Sequence, residues 1–153
     1  MSVIILIPAY NPIPALLPLV QSLKAHDATV VVLNDGSDKK YDALFQSVEE
    51  AGAILLAHMT NLGKGAALKT GLNAIALQFP EALGVVTADA DGQHTVEDIL
   101  NVGKALTRHP NELILGVRDT NPRGAQKIPF RSRFGNAVTK AIFNFVTGLK
   151  LKD

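Results

Sequence analysis

Runs of aliphatic and β-branched residues alternate along this chain with segments whose apolar positions recur every three or four residues. Residues 3–7, Val-Ile-Ile-Leu-Ile, are continuously apolar and stop at Pro8, which predicts a strand buried on both faces. Pro8-Ala9-Tyr10-Asn11-Pro12 then reads as a loop, because its prolines cannot join a sheet ladder. Leu16, Leu17, Leu19, Val20 and Leu23 follow at helical spacing. Residues 29–33 predict a second strand, closed by Asn34-Asp35-Gly36-Ser37-Asp38. Tyr41, Leu44, Phe45 and Val48 predict a helix ended by Gly52, and residues 53–57 a third strand. Asn61-Leu62-Gly63-Lys64-Gly65 opens a helix with Ala66, Ala67, Leu68, Leu72, Ile75 and Leu77, which stops before Pro80. A fourth strand runs through Gly84-Val85-Val86 to Thr87. Thr95, with Asp98 three residues on, caps a helix over 96–107. Residues 112–117 predict a fifth strand, 118–128 a loop, and 129–146 a last helix with Phe134, Val138, Ile142 and Phe145 on one face.

Strands alternating with helices imply an α/β fold, a mostly parallel sheet with helices on both faces. In such sheets ligands sit beyond the carboxyl ends of the strands. There the loops after the first, second and fourth strands carry Tyr10 and Asn11, Asp35 and Ser37, and Asp89, Asp91 and Gln93. The last of these, Thr87-Ala88-Asp89-Ala90-Asp91-Gly92-Gln93-His94, holds the richest chemistry. In extended backbone, residues two apart point to the same side, which would converge Asp89 and Asp91 on one ligand. With the Gln93 amide they offer only oxygen, the ligand set of Mg or Mn, which keep positions open for phosphate. A solvated acidic turn is the simpler reading of an isolated Asp-x-Asp. Three polar loops on one sheet edge favour the ligand site.

Composition narrows the class. At 153 residues, 47% of them hydrophobic, the chain can bury one core, and it reads as a single domain over 1–153. A net charge of +1 gives no reason to expect nucleic acid, although the segment from Lys104 onward is more basic. Zero cysteines exclude disulfides and thiolate metal sites, and fit a reducing compartment. The N-terminal apolar run is too short for a signal peptide, and no run reaches membrane-spanning length. The expected segment is soluble or at most membrane-associated.

Gly63-Lys64-Gly65 is not a Walker loop, which needs Gly-Lys-Ser/Thr, and Leu68 stands where a dinucleotide fingerprint needs its third glycine. Two readings stay open: a tight turn into a helix, or a Lys64 that meets a phosphate.

Taken in order, Pro8-Ala9-Tyr10-Asn11, Asn34-Asp35-Gly36-Ser37, Asn61-Leu62-Gly63-Lys64-Gly65-x-Ala67 and Asp89-Ala90-Asp91-Gly92-Gln93-His94 resemble the motifs of family-2 inverting glycosyltransferases of the GT-A, Rossmann-like fold. The branch is similar to dolichol-phosphate mannose synthase and the bacterial polyprenyl-phosphate glycosyltransferases. Gly116-x-Arg118 and Pro129-x-Arg131-x-x-x-x-Asn136 extend the likeness to nearly the whole chain. The resemblance implies that Pro8, Tyr10, Leu33 and Asp35 cradle a nucleoside. It implies that Asp89 and Ala90 meet the ribose–diphosphate region, that Asp91 and Gln93 hold the metal, and that Arg118 faces the diphosphate or the sugar. Each role has a plainer counterpart: Tyr10 packing on the sheet edge, Asp35 capping the Gly36-Ser37 turn, Arg118 solvated in its loop. His94 is expected to cap the following helix rather than bind metal. Pro12 stands where dolichol-type enzymes often carry an acidic residue after Tyr-Asn, which weakens the inference to guanine over uracil.

The activity so implied is metal-dependent transfer of a sugar, with inversion, from a UDP- or GDP-linked donor. Asp89 and Asp91 would be the catalytic carboxylates. A polyprenyl-phosphate acceptor is already ionised and needs cations rather than a base; Arg123, Lys127, Arg131 and Arg133 are the candidates, Arg131 and Arg133 foremost, with a solvated basic loop as the plainer reading. The full-length protein is then expected at the cytoplasmic face of a membrane. Alternatives are a soluble family-2 transferase acting on sugar hydroxyls of a polysaccharide, and a non-catalytic nucleotide-binding fragment. A sugar-1-phosphate nucleotidyltransferase is disfavoured, since the loop at Pro8–Pro12 lacks that class's Gly-rich, basic character. In similar enzymes an Asp at the place of Asp153 begins an Asp-x-x-x-Gly-x-Arg motif, so the chain is expected to be cut there.

Overall fold

The computed structural model describes residues 2–116. The expected loop over 118–128, the last helix, and Arg118, Arg123, Lys127, Arg131 and Arg133 lie outside the described residues. The described elements run β1 (Val3–Ala9), α1 (Leu16–Ala25), β2 (Thr29–Asp35), α2 (Asp42–Glu50), β3 (Ile54–His58), α3 (Lys64–Gln78), β4 (Gly84–Thr87) and α4 (Val96–Arg108). All fall within one unit ending at Ile114.

The strands form one parallel sheet in the order β3-β2-β1-β4. Alternation along each strand sends side chains to opposite faces, and two separate cores result. Ile5, Ile7, Val30, Val32 and Val86 pack with Leu16, Leu19, Val20 and Leu23 of α1, Phe45 and Val48 of α2, and Ile99 of α4. Ile4, Leu6 and Val31 pack with Ile75 and Leu68 of α3 on the other face. A sheet covered on both sides explains why its strands are apolar throughout rather than alternating. The expected fold class is the one observed.

β1 and β2 both run two residues beyond the apolar stretches that predicted them. Pro8 is part of β1 and stands opposite Leu33, because β4 pairs only as far as Leu6↔Thr87 and leaves that end of β1 with a neighbour on one side. The missing N–H of Pro8 therefore costs little. The loop starts at Tyr10 instead. Pro18 is tolerated in α1 because it lies in the first turn, where its N–H has no helical partner. The α4 cap is as expected: the Thr95 hydroxyl accepts from the Asp98 N–H at 3.1 Å.

The expected fifth strand is not formed over its described part. Residues 113–116 carry no ladder, Leu113 is 85% exposed and Leu115 55%, and only Val117 of the expected span lies outside the described residues. A strand exists only through a hydrogen-bonded neighbour, and among the described residues none pairs with the β4 edge away from β1. Nor is any described helix long and apolar enough to cross a membrane.

Gly36 fixes how the β2 end meets the segment after β3. Its φ is +65°, and a Cβ there would collide with the backbone of Thr60 and Asn61. Gly36→Ala is expected to lower stability by about 2 kcal/mol or more, seen as a fall in melting temperature by circular dichroism. Gly65→Ala is the control: an added Cβ there meets nothing, and alanine favours the helix.

Candidate active site

β1 lies between β2 and β4, so the chain leaves β1 toward one side of the sheet and returns through α3 to the other. This is the switch point at which open α/β sheets bind ligands. A cleft of about 410 Å³ lies there, lined by Pro8 to Ile13, Asp35, Asn61, Gly63, Lys64, Ala67, Asp89, Ala90 and Asp91. The segments after β1, β3 and β4 contribute, together with the last residue of β2.

The first two loops are tied together by Asn11. Its φ of +45° is a left-handed conformation that asparagine tolerates. Its N–H donates to Ser37 Oγ at 2.9 Å, and its Oδ1 accepts from the Asp38 N–H at 3.0 Å. Asn34, not Asp35, caps the turn, accepting from the Ser37 N–H at 2.8 Å. Beside this clasp Tyr10 lines the cleft and is 50% exposed. Half exposed on the cleft wall, the residue is not packed away on the sheet edge.

Asp35 lies on the cleft floor, only 3% exposed. Its Oδ1 accepts from His58 Nδ1 at 2.7 Å and from the Leu62 N–H at 3.0 Å, and its Oδ2 from the Gly63 N–H at 2.9 Å. Burial by itself raises the carboxyl pKa. The hydrogen bonds from Leu62, His58 and Gly63, together with the charge of His58, outweigh burial and hold it below its ordinary value of 3.8.

Across the cleft, Lys64 Nζ and Asp89 Oδ1 are 2.6 Å apart, joining the start of α3 to the loop after β4. His94 Nε2 stands 3.9 Å from Asp89 Oδ2, and Thr95 rather than His94 caps α4. β4 ends at Thr87, so Asp91 occupies a turn rather than a strand. Asp89 and Asp91 therefore do not converge through extended backbone as expected. Both carboxylates line the cleft, and the chain turns at Gly92, whose φ is +74°. Asp91 Oδ1 accepts from the Gln93 N–H at 3.0 Å.

Of the residues expected at the site, Pro8, Tyr10, Asp35, Asp89, Ala90 and Asp91 line this one cleft. Leu33 is fully buried in β2 beside Pro8, and Gln93 is exposed beyond the lining. Asn61, Lys64 and Ile13 join the lining. The Asn61-to-Gly65 motif was the signal for the first two, and nothing in the sequence marked Ile13. His58 was also missed. Among the described residues no group of three His, Cys, Asp or Glu side chains is placed to hold a metal. One cleft carboxylate, Asp91, is nonetheless enough of a protein anchor for Mg when phosphate and water complete its shell.

Comparison with known proteins places this cleft in context. Residues 4–153 match the sequence profile described as glycosyl transferase family 2. The chain belongs to that family. It is 30% identical, over 97% of its length, to a UDP-N-acetylglucosamine–dolichyl-phosphate N-acetylglucosaminyltransferase of Methanococcus voltae, of which the match covers 64%. It is 29% identical, again over 97% of its length, to an uncharacterised protein of Methanocaldococcus jannaschii, of which 58% is covered. The chain thus spans about three-fifths of the length of these curated relatives. Within family 2 the GT-A, Rossmann-like arrangement is the expected one, and the described parallel sheet agrees with it.

The buried carboxylate predicts an acid response. With its native pKa depressed, Asp35 adds stability that is complete above the ordinary carboxylate range and is lost as pH falls through the lowered native value. Asp35→Asn should lower neutral-pH stability by about 1–3 kcal/mol and flatten the melting-temperature profile between about pH 5 and 2. Parallel profiles for the two proteins would show that Asp35 contributes nothing to acid unfolding.

Proposed function

We propose that this chain carries the donor site of a glycosyltransferase that moves a sugar, with inversion, from a nucleoside diphosphate to a polyprenyl phosphate. The observation that supports this reading most is the meeting of the carboxyl ends of all four strands in one cleft at the switch point. An aromatic platform, Tyr10, and a buried carboxylate, Asp35, face an acidic turn, Asp89 and Asp91, with Lys64 beside it. Family membership supports sugar transfer, and the name of the Methanococcus relative supports a UDP-linked donor and a dolichyl-phosphate acceptor.

In this reading Tyr10 stacks on the base, Asp35 takes a base N–H, and Lys64 meets the diphosphate. Asp91 with Gln93 would hold a Mg or Mn ion, and Asp89 the ribose–diphosphate region beside Ala90. The ion, when bound, neutralises charge on the departing diphosphate. An acceptor phosphate oxygen forms the new bond to the anomeric carbon from the face opposite the leaving group. The bond from that carbon to the diphosphate oxygen breaks, and its electron pair leaves with the nucleotide. Because a phosphate acceptor arrives ionised, no carboxylate of the cleft has to take a proton. Arg118, Arg131 and Arg133, outside the described residues, are proposed for the sugar diphosphate and the acceptor head group. The full-length enzyme would then work at the cytoplasmic face of a membrane.

A thermal-shift series with UDP and GDP, each with Mn, Mg or chelator, tests the donor site. A nucleotide about a hundred-fold above its Kd should raise the melting temperature by about 5–10 °C. Chelator or Asp91→Ala should abolish the shift, and a shift that survives both would overturn the metal assignment. For the acceptor, Arg131→Glu in the full-length protein is expected to cut transfer to a polyprenyl phosphate on the order of a hundred-fold. Undiminished lipid transfer, or transfer to oligosaccharide hydroxyls instead, would favour the polysaccharide enzyme.

A further inference from the structure

We infer that His58, at the end of β3, is a positioning residue for the donor base, and that it biases the site toward uracil over guanine. The inference rests on the nucleotide-donor reading and adds a residue that does not touch the cleft. His58 is almost fully buried, with its side chain 9% exposed, and does not line the pocket. Its Nδ1 is 2.7 Å from Asp35 Oδ1 and its Nε2 2.9 Å from Thr70 Oγ1 on α3. A carboxylate only accepts, so the proton on Nδ1 points at Asp35. The Thr70 hydroxyl, able to donate or accept, suits whichever state Nε2 is in. The imidazole is therefore held at both ends, between α3 and the cleft floor.

The consequence lies in how many acceptor positions Asp35 keeps. An ionised carboxylate has about four lone-pair sites. His58 and the Leu62 N–H take both on Oδ1, and the Gly63 N–H takes one on Oδ2. One remains, on Oδ2. Uracil presents a single imide N–H between two carbonyls, which one acceptor satisfies. Guanine presents adjacent N1–H and N2–H donors, which need both carboxylate oxygens to be met together. With Oδ1 filled by His58, one guanine donor would be desolvated without a partner, an unfavourable outcome.

Two substitutions separate this role from packing. The asparagine amide nitrogen falls near the place of Nδ1, and the glutamine amide nitrogen near that of Nε2. His58→Asn keeps the bond to Asp35, whereas His58→Gln keeps the one to Thr70. UDP, GDP and inorganic diphosphate would be titrated by calorimetry, with Mn, into the wild type and both variants. The wild type should bind UDP at least ten-fold more tightly than GDP. His58→Asn should stay within about three-fold of wild type for UDP, and His58→Gln should lose ten-fold or more and narrow the UDP–GDP gap, with diphosphate binding unchanged in both. Equal UDP losses in the two variants, or parallel loss of diphosphate binding, would reduce His58 to a packing residue and overturn the inference. Preference for GDP in the wild type would overturn it too, leaving the donor reading standing. Binding of no nucleotide by the wild type would remove both.

Discussion

One buried carboxylate holds the site together. Asp35 ends β2 with its charge inside the protein, where an ionised group is tolerated only if its oxygens are met by donors. Those donors come from β3 through His58 and from the segment leading into α3 through the Leu62 and Gly63 amides. The loop that carries Asn61 and Lys64 is thereby fixed to the sheet edge. Gly36 lets the same loop approach, because any side chain there would strike the Thr60–Asn61 backbone. The position of Lys64 opposite Asp89 follows from these contacts rather than from the helix itself.

The other half of the cleft depends on the sheet order. β4 adds to β1 on the side away from β2, and it is the shorter strand. Its early end releases the chain at Thr87 and leaves the last residues of β1, Pro8 and Ala9, free to form a wall. Strand lengths therefore decide the depth of the cleft.

Much of this was legible in the sequence, for a physical reason. Strands buried on both faces are continuous apolar runs, and the described ones could be read within a few residues of their ends. The ends were the weak point: Pro8, Asn34 and Asp35 belong to strands although they are polar or lack a donor, because at the carboxyl edge the ladder continues where the core stops. Residues 112–116 form no strand because, among the described residues, this apolar run has no paired neighbour. Asp89 and Asp91 were found, but by an argument from extended backbone that the turn after Thr87 replaces. His58 was invisible. Its partners lie 23 and 12 residues away in sequence, and no spacing rule links a histidine to a carboxylate on the neighbouring strand and a hydroxyl on a later helix.

The ion pair between Lys64 and Asp89 has a consequence for the protein between encounters with its ligand. Two carboxylates facing an open cleft repel each other and attract stray cations; a lysine at 2.6 Å lessens both effects. The lysine acts as a counterion to the acidic turn. In the proposed reading, an incoming diphosphate would offer that lysine a new partner and free an Asp89 oxygen in the same exchange. Occupation of the cleft then becomes a trade of partners rather than an assembly of new charges. On that reading the ion pair would re-form whenever the cleft empties.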